Sequence, residues 1–206
     1  MKPMPQPVLE FWYEFASTYS YPAALRLERL ADAAGVAVRW RPFLLGPIFA
    51  AQGWSDSPFN LYPVKGAYMW RDLERICARE GLPLTLPPIR FPQNGLKAAR
   101  LALALPDALV PEFSRRVYRA NFAEGKDISD DGVLAAILTD LGTTADPASA
   151  EIKVRLKAQT GEAIARGIFG APSFTVGDEL FWGNDRLEDA IAWARHPQVP
   201  PSTRIT

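Results

Sequence analysis

Three separated groups of residues in this chain have the types and spacing to do chemistry together. Ser17 follows an apolar run, Val8 to Phe15, and stands just before a helical pattern. A helix N-terminus offers unpaired N–H groups and partial positive charge, which stabilise an anion placed there. A serine cannot exchange disulfides. Its hydroxyl can donate a hydrogen bond to a thiolate brought by a cofactor and so lower that thiol's pKa. The same position suits a plain helix cap. The second group is Gly170-Ala171-Pro172, immediately before the short apolar run Ser173–Val176. A cis Ala171-Pro172 bond there marks a tight turn and would aim the backbone N–H and C=O of Ala171 at a peptide-like ligand; an ordinary turn is the plainer reading. The third is Asn184-Asp185, opening the last helical pattern. Aspartate caps such a helix, and it can also hold a ligand ammonium group.

Asn60, Lys65 and Tyr68 surround the start of another helical pattern. Lys65 and Tyr68, three apart, share its face. A lysine there is a suitable point charge for a ligand carboxylate or sulfur anion, or simply solvated surface. Trp54, Trp70 and Trp182 could line an apolar pocket or pack the core. The one cysteine, Cys77, excludes an intrachain disulfide and any Cys-X-X-Cys motif, and is expected to be an inert small hydrophobe. One histidine, His196, and one cysteine are too few soft ligands for a typical zinc site, so no metal is expected.

The elements that must position these residues read as follows. Residues 8–15 form a buried strand, and Pro22 opens a helix over 23–34 ended by Gly35. A second strand covers 36–42, completing a βαβ unit. Residues 44–62, rich in Gly, Pro and Ser, read as loop. A helix spans 63–80, closed by Gly81, and prolines keep 83–92 extended. Further helices are expected at about 95–105, 109–123, 130–141 and 147–166, the last with Asp146 as cap and Pro147 at its first position. Gly177-Asp178 joins strands 173–176 and 179–182 in a hairpin. A helix over 186–195 follows, and the tail from Pro197 is expected to fray. The order βαβ, helices, ββα predicts an α/β fold: a thioredoxin-like domain interrupted by a long all-helical insertion. The division is 1–60, 61–167 and 168–206.

The 206 residues can bury one sizeable core. Apolar residues make up 48% and charged ones 22%, as in an ordinary globular protein. The 23 basic and 23 acidic residues cancel, so no net field favours nucleic acid or an anionic membrane. Met1 to Pro7 lacks the apolar core of a signal peptide, and no apolar run approaches the roughly 18 residues of a membrane-spanning helix. A cytoplasmic protein is expected.

Taken together, these residues resemble the 2-hydroxychromene-2-carboxylate isomerase family, relatives of kappa-class glutathione transferases within the DsbA-like thioredoxin superfamily. The resemblance runs over nearly the whole chain. It is most specific in Phe11 to Tyr21, in Ile168 to Phe174 and in Trp182 to Leu187. Between these, Asn60, Lys65, Tyr68, Asp72 and Gly81-Leu82-Pro83 fall in the family's order, as do Arg90-Phe91-Pro92, Asn94 and Arg100. The resemblance implies glutathione as cofactor, with Ser17 holding its sulfur as a thiolate. Ala171 beside Pro172 would pair with the cysteinyl part, and Asn184 and Asp185 would hold the γ-glutamyl end. Asn60 and Lys65 would lie near the tripeptide or the substrate. It also implies a small aromatic or electrophilic substrate and a homodimer.

Two departures bear on this. Glu14, Ala16 and Thr18 change the surround of Ser17, where the family usually has Asp, a variable residue, Ser and Pro. The loop Phe43–Phe49 contains no lysine, although a basic residue is expected there for a substrate carboxylate; Lys65, Arg41 or Arg90 would have to serve. Three functions stay open: the isomerase, a kappa-like transferase acting on apolar electrophiles, and a redox-inactive binding module.

Overall fold

The computed structural model describes residues 6–196; the expected fraying from Pro197 lies outside them. Strand β1 (Val8–Tyr13) is central in a four-stranded sheet. It pairs in parallel with β2 (Ala37–Pro42) and antiparallel with β3 (Ser173–Val176). β3 pairs antiparallel with β4 (Glu179–Trp182), giving the order β2-β1-β3-β4. The chain thus has a thioredoxin-like sheet, with helices entering between β2 and β3.

Alternation along β1 explains why the sheet is covered on both faces. Leu9, Phe11 and Tyr13 enter the large core that also holds Tyr21 and Leu27 of α1 (Ser20–Ala34), Leu73 of α4 (Pro63–Glu80) and Leu187 of α9 (Leu187–Arg195). Trp12, on the other face, packs with Phe43, Ile48, Ala163 and Ile168. The first core continues into the inserted helices through Ala98 of α5 (Leu96–Ala104), Phe113 of α6 (Val110–Phe122), Leu134 of α7 (Asp131–Asp140) and Leu156 of α8 (Ala150–Ala165). One apolar cluster therefore ties the sheet to the helices around it.

α1 begins at Ser20, three residues before the expected start, and ends where Gly35 adopts φ +68°, a conformation open to glycine. The segment 44–62 is not all loop. It holds α2 (Leu45–Ala51) and α3 (Pro58–Leu61). Pro47 falls in the first turn of α2, where a missing N–H costs nothing. Ser57 caps α3 by accepting from Phe59 N at 3.3 Å, with Pro58 next. α8 starts at Ala150 rather than 147. The Asp146 carboxylate takes the Ala148 N–H at 2.8 Å, closing a turn that delays the helix.

Candidate functional site

The turn after β1 is pinned from three sides. Its closing bond runs from Ser17 N to Glu14 O at 3.0 Å. From α6, Tyr118 donates its hydroxyl to Glu14 O (2.9 Å) and Asn121 donates to Phe15 O (3.3 Å). Below them Tyr13 and Ser114 share a buried hydroxyl bond of 2.8 Å. From α4, Met69 sulfur accepts from Thr18 at 3.1 Å, and Asp72 accepts the Tyr19 hydroxyl at 3.0 Å. Burial, that Asp72 bond and the nearby acidic charges push the Tyr19 phenol up, so it stays neutral. The third side is the Ala171-Pro172 turn, whose peptide bond is cis. Ser17 Oγ donates to Ala171 O at 2.9 Å and accepts from Ser20 N at 3.3 Å. The hydroxyl is thus both a cap on α1 and a bridge to the proline turn. Pro172 O in turn accepts from Gly183 N at 3.0 Å, while the Ala171 N–H has no hydrogen-bond partner among the described residues.

Ser17, Ala171 and Pro172 open onto one cavity of about 750 Å³, a volume suited to a small ligand. Leu44, Leu45, Phe49, Trp54 and Phe59 form one wall, and Phe169 with Trp182 forms another. Phe169 and Trp182 pack at 4.8 Å, Phe49 and Trp54 at 5.5 Å. Among charged residues the lining holds only Glu14, Asp56 and Lys65. Trp70 packs on Phe91 instead and stays out of the cavity.

Lys65 and Tyr68 line the cavity from α4, as expected of residues on one face. Asn60 does not. Its amide bridges Asp56 Oδ2 (3.0 Å) and Phe91 O (3.1 Å), fastening the loop of Asp56 to the segment opposite. Asn184 is buried outside the cavity, with Oδ1 and its carbonyl both accepting from Arg26 Nη2 at 3.0 and 3.3 Å. Asp185 is exposed, lies 3.3 Å from Arg186 and does not line the cavity. Arg41 pairs with Glu162 and lies over the Trp12 ring at 4.5 Å, and neither it nor Arg90 lines the cavity. Cys77 is buried mid-helix, and burial pushes its thiol up to about 11, as befits an inert residue.

The sequence reading passed over Glu14 as a site residue, and Ser114, Tyr118 and Asn121 of α6 entirely. Nothing in the spacing marks the α6 residues, which lie about a hundred positions from the turn they hold. Glu14 carried one signal, a carboxyl inside an otherwise apolar strand end. Burial pushes that carboxyl up to about 7, against the holding effect of the Ala16 and Phe15 amides.

The DSBA-like thioredoxin domain matches residues 8–191. A curated 2-hydroxychromene-2-carboxylate isomerase of Sphingobium xenophagum is 34% identical over 87% of this chain and 94% of its own. The chain belongs to that isomerase family, within the DSBA-like thioredoxin proteins. Membership makes the protein an enzyme. A solved 2-hydroxychromene-2-carboxylate isomerase overlays with a TM-score of 0.79 at 28% identity, covering 90% of this chain and 94% of that one. Glutathione S-transferase kappa 2 of Caenorhabditis elegans is 26% identical over 94% of both chains. Among the described residues no helix is long and apolar enough to cross a membrane.

Proposed function

We propose that the protein is a glutathione-dependent isomerase of the 2-hydroxychromene-2-carboxylate type. The observation that carries this reading is the Ser17 hydroxyl, held 2.9 Å from Ala171 O at the mouth of α1 and open to an aromatic cavity. The site suits glutathione by its own chemistry: a backbone N–H without a partner, a carbonyl with a lone pair to spare and a neighbouring helix N-terminus. Glutathione, when bound, supplies the thiolate nucleophile that the chain itself lacks.

Ala171 pairs through its backbone with the peptide portion of the ligand. Once a ligand N–H takes the Ala171 carbonyl, Ser17 is free to turn its proton toward sulfur. The hydroxyl and the α1 N-terminus then favour the anion. Lys65 and Asp185 hold the charged ends of the tripeptide. Asn60 and Asn184 act at one remove, by fixing the Asp56 loop and the Arg26 contact. The aromatic walls exclude water and seat a small aromatic substrate.

A kappa-like transferase is the second reading. It is favoured by the wall Leu44–Phe59, which offers no cation for a substrate carboxylate and leaves Lys65 to serve alone. Calorimetric titration with reduced glutathione tests the shared part: saturable binding supports it, and no binding removes both readings. Product analysis with an aromatic electrophile then separates them. Free glutathione regenerated after turnover supports the isomerase; a stable thioether supports the transferase.

A further inference from the structure

Glu14 and Ser17 are the two ends of one tight turn, closed by the 3.0 Å bond from Ser17 N to Glu14 O. Both residues line the same cavity. The Glu14 carboxyl lies against Gly95, so close that a Cβ at that position would fall 2.7 Å from Oε1. The carboxyl is partly buried, and a carboxylate withdrawn from water usually takes a cation as partner. Among the described residues none pairs with this one, although the chain forms ion pairs freely elsewhere. The groups around it are few. Tyr118 faces it from α6 and stays neutral, its phenol pushed up by burial and by the charges of Tyr13 and Glu14. On α5, Lys97 is held by Asp131 at 2.7 Å. On α4, Lys65 and Tyr68 stand exposed at the cavity wall, and Asp56 faces the cavity from its own loop.

We propose that Glu14 is the proton acceptor of the site, taking the proton that a glutathione thiol gives up beside Ser17 and holding it on a carboxylate oxygen. The S–H bond breaks, its electron pair stays on sulfur, and the O–H bond forms on Glu14. When sulfur leaves the substrate again, the same proton returns to it. No oxidant or further reactant is needed. The carboxyl is tuned for this work, since burial brings it to about 7, and a proton carrier is most effective when its pKa lies near the working pH. Ser17 cannot take that role, because a hydroxyl at neutral pH donates to the thiolate but does not accept its proton.

The proposal rests on the glutathione reading, and its test separates the two. Reduced glutathione is titrated into wild type and Glu14→Gln by calorimetry at about pH 8, where the carboxyl is mostly ionised, in buffers of different ionisation enthalpy. Thiolate absorbance in the ultraviolet is followed alongside. Wild type is expected to bind with a thiolate signal and no net proton released, because the proton stays on Glu14. Glu14→Gln is expected to bind, and either to release about one proton to buffer per thiolate formed or to lose the thiolate signal. A full proton released by wild type, wild-type binding without a thiolate signal, or a variant identical to wild type in both readouts would overturn the role of Glu14 and leave glutathione binding standing. No binding by wild type would overturn the glutathione reading itself. Should Glu14→Gln fail to fold, the wild-type proton count carries the test alone.

Discussion

The two sides of the cavity are built differently. On one side, Glu14 to Ser17 and Gly170 to Pro172 are the turns that adjoin β1 and β3, tied to each other and by hydrogen bonds from α6 and α1. On the other side, Leu44 to Phe59 lies on two short helices joined by a mostly exposed stretch, with Trp54 packed on Phe49. The first side places polar atoms to within hydrogen-bond distances. The second offers mainly apolar area, and its one charged lining residue, Asp56, is tied back to Asn60 and the Ser57 N–H. The difference suggests a division of labour: the sheet end sets the reactivity of the thiol, and the short helices choose what it meets. A site residue needs rigid support for the first task and only matching surface for the second.

Substitutions sharpen or break this contrast. Ser17→Ala should leave the fold intact and lower kcat by about 100-fold or more, the usual cost of one donor aimed at a reacting anion. Single-turnover kinetics would measure it, and unchanged turnover would remove Ser17 from the mechanism. Glu14→Gln should change stability with pH. The folded carboxyl keeps its proton up to about 7, whereas a free glutamate gives its proton up near 4.5. The native state therefore binds more protons between those values, so stability falls as pH rises from about 4.5 to about 7 and is level above. The glutamine variant should lack that fall and exceed wild type by up to about 3 kcal/mol above the upper value, seen as a Tm that no longer drops with pH.

On the other side, effects should be smaller and confined to substrate binding. Trp54→Ala should raise KM for an aromatic substrate roughly tenfold, with the glutathione affinity unchanged, as expected for lost apolar contact. A fall in glutathione affinity of the same size would dissolve the proposed division. Lys65→Met should have the smallest effect, a change of about threefold or less that fades with added salt, since an exposed charge is screened. A loss much larger than that for a carboxylate-bearing substrate, and absent for a neutral one, would make Lys65 the carboxylate holder and favour the isomerase.

Much of the framework is decided by local sequence. Alternation along Val8–Tyr13, Gly35 and Gly81 at helix ends, Pro63 at a helix start and the Gly177-Asp178 hairpin each act through backbone conformation or period, which neighbours in sequence determine. The same holds for Ser17 at the mouth of α1 and Ala171 before Pro172, because strand–helix and turn–strand junctions expose backbone groups wherever they occur. The short helices α2 and α3 escaped that reading, since glycine, proline and serine mark helix starts as well as loops. What only the tertiary structure decided is partnership. It set Ser17 against Ala171, 154 positions away, and turned Asn184 inward to Arg26 and Asn60 toward Phe91. It also closed α6 and Gly95 over Glu14. A side chain's type states what it can bond. Which group meets it, and how far burial moves its pKa, depends on packing between segments that carry no mark of one another in the chain.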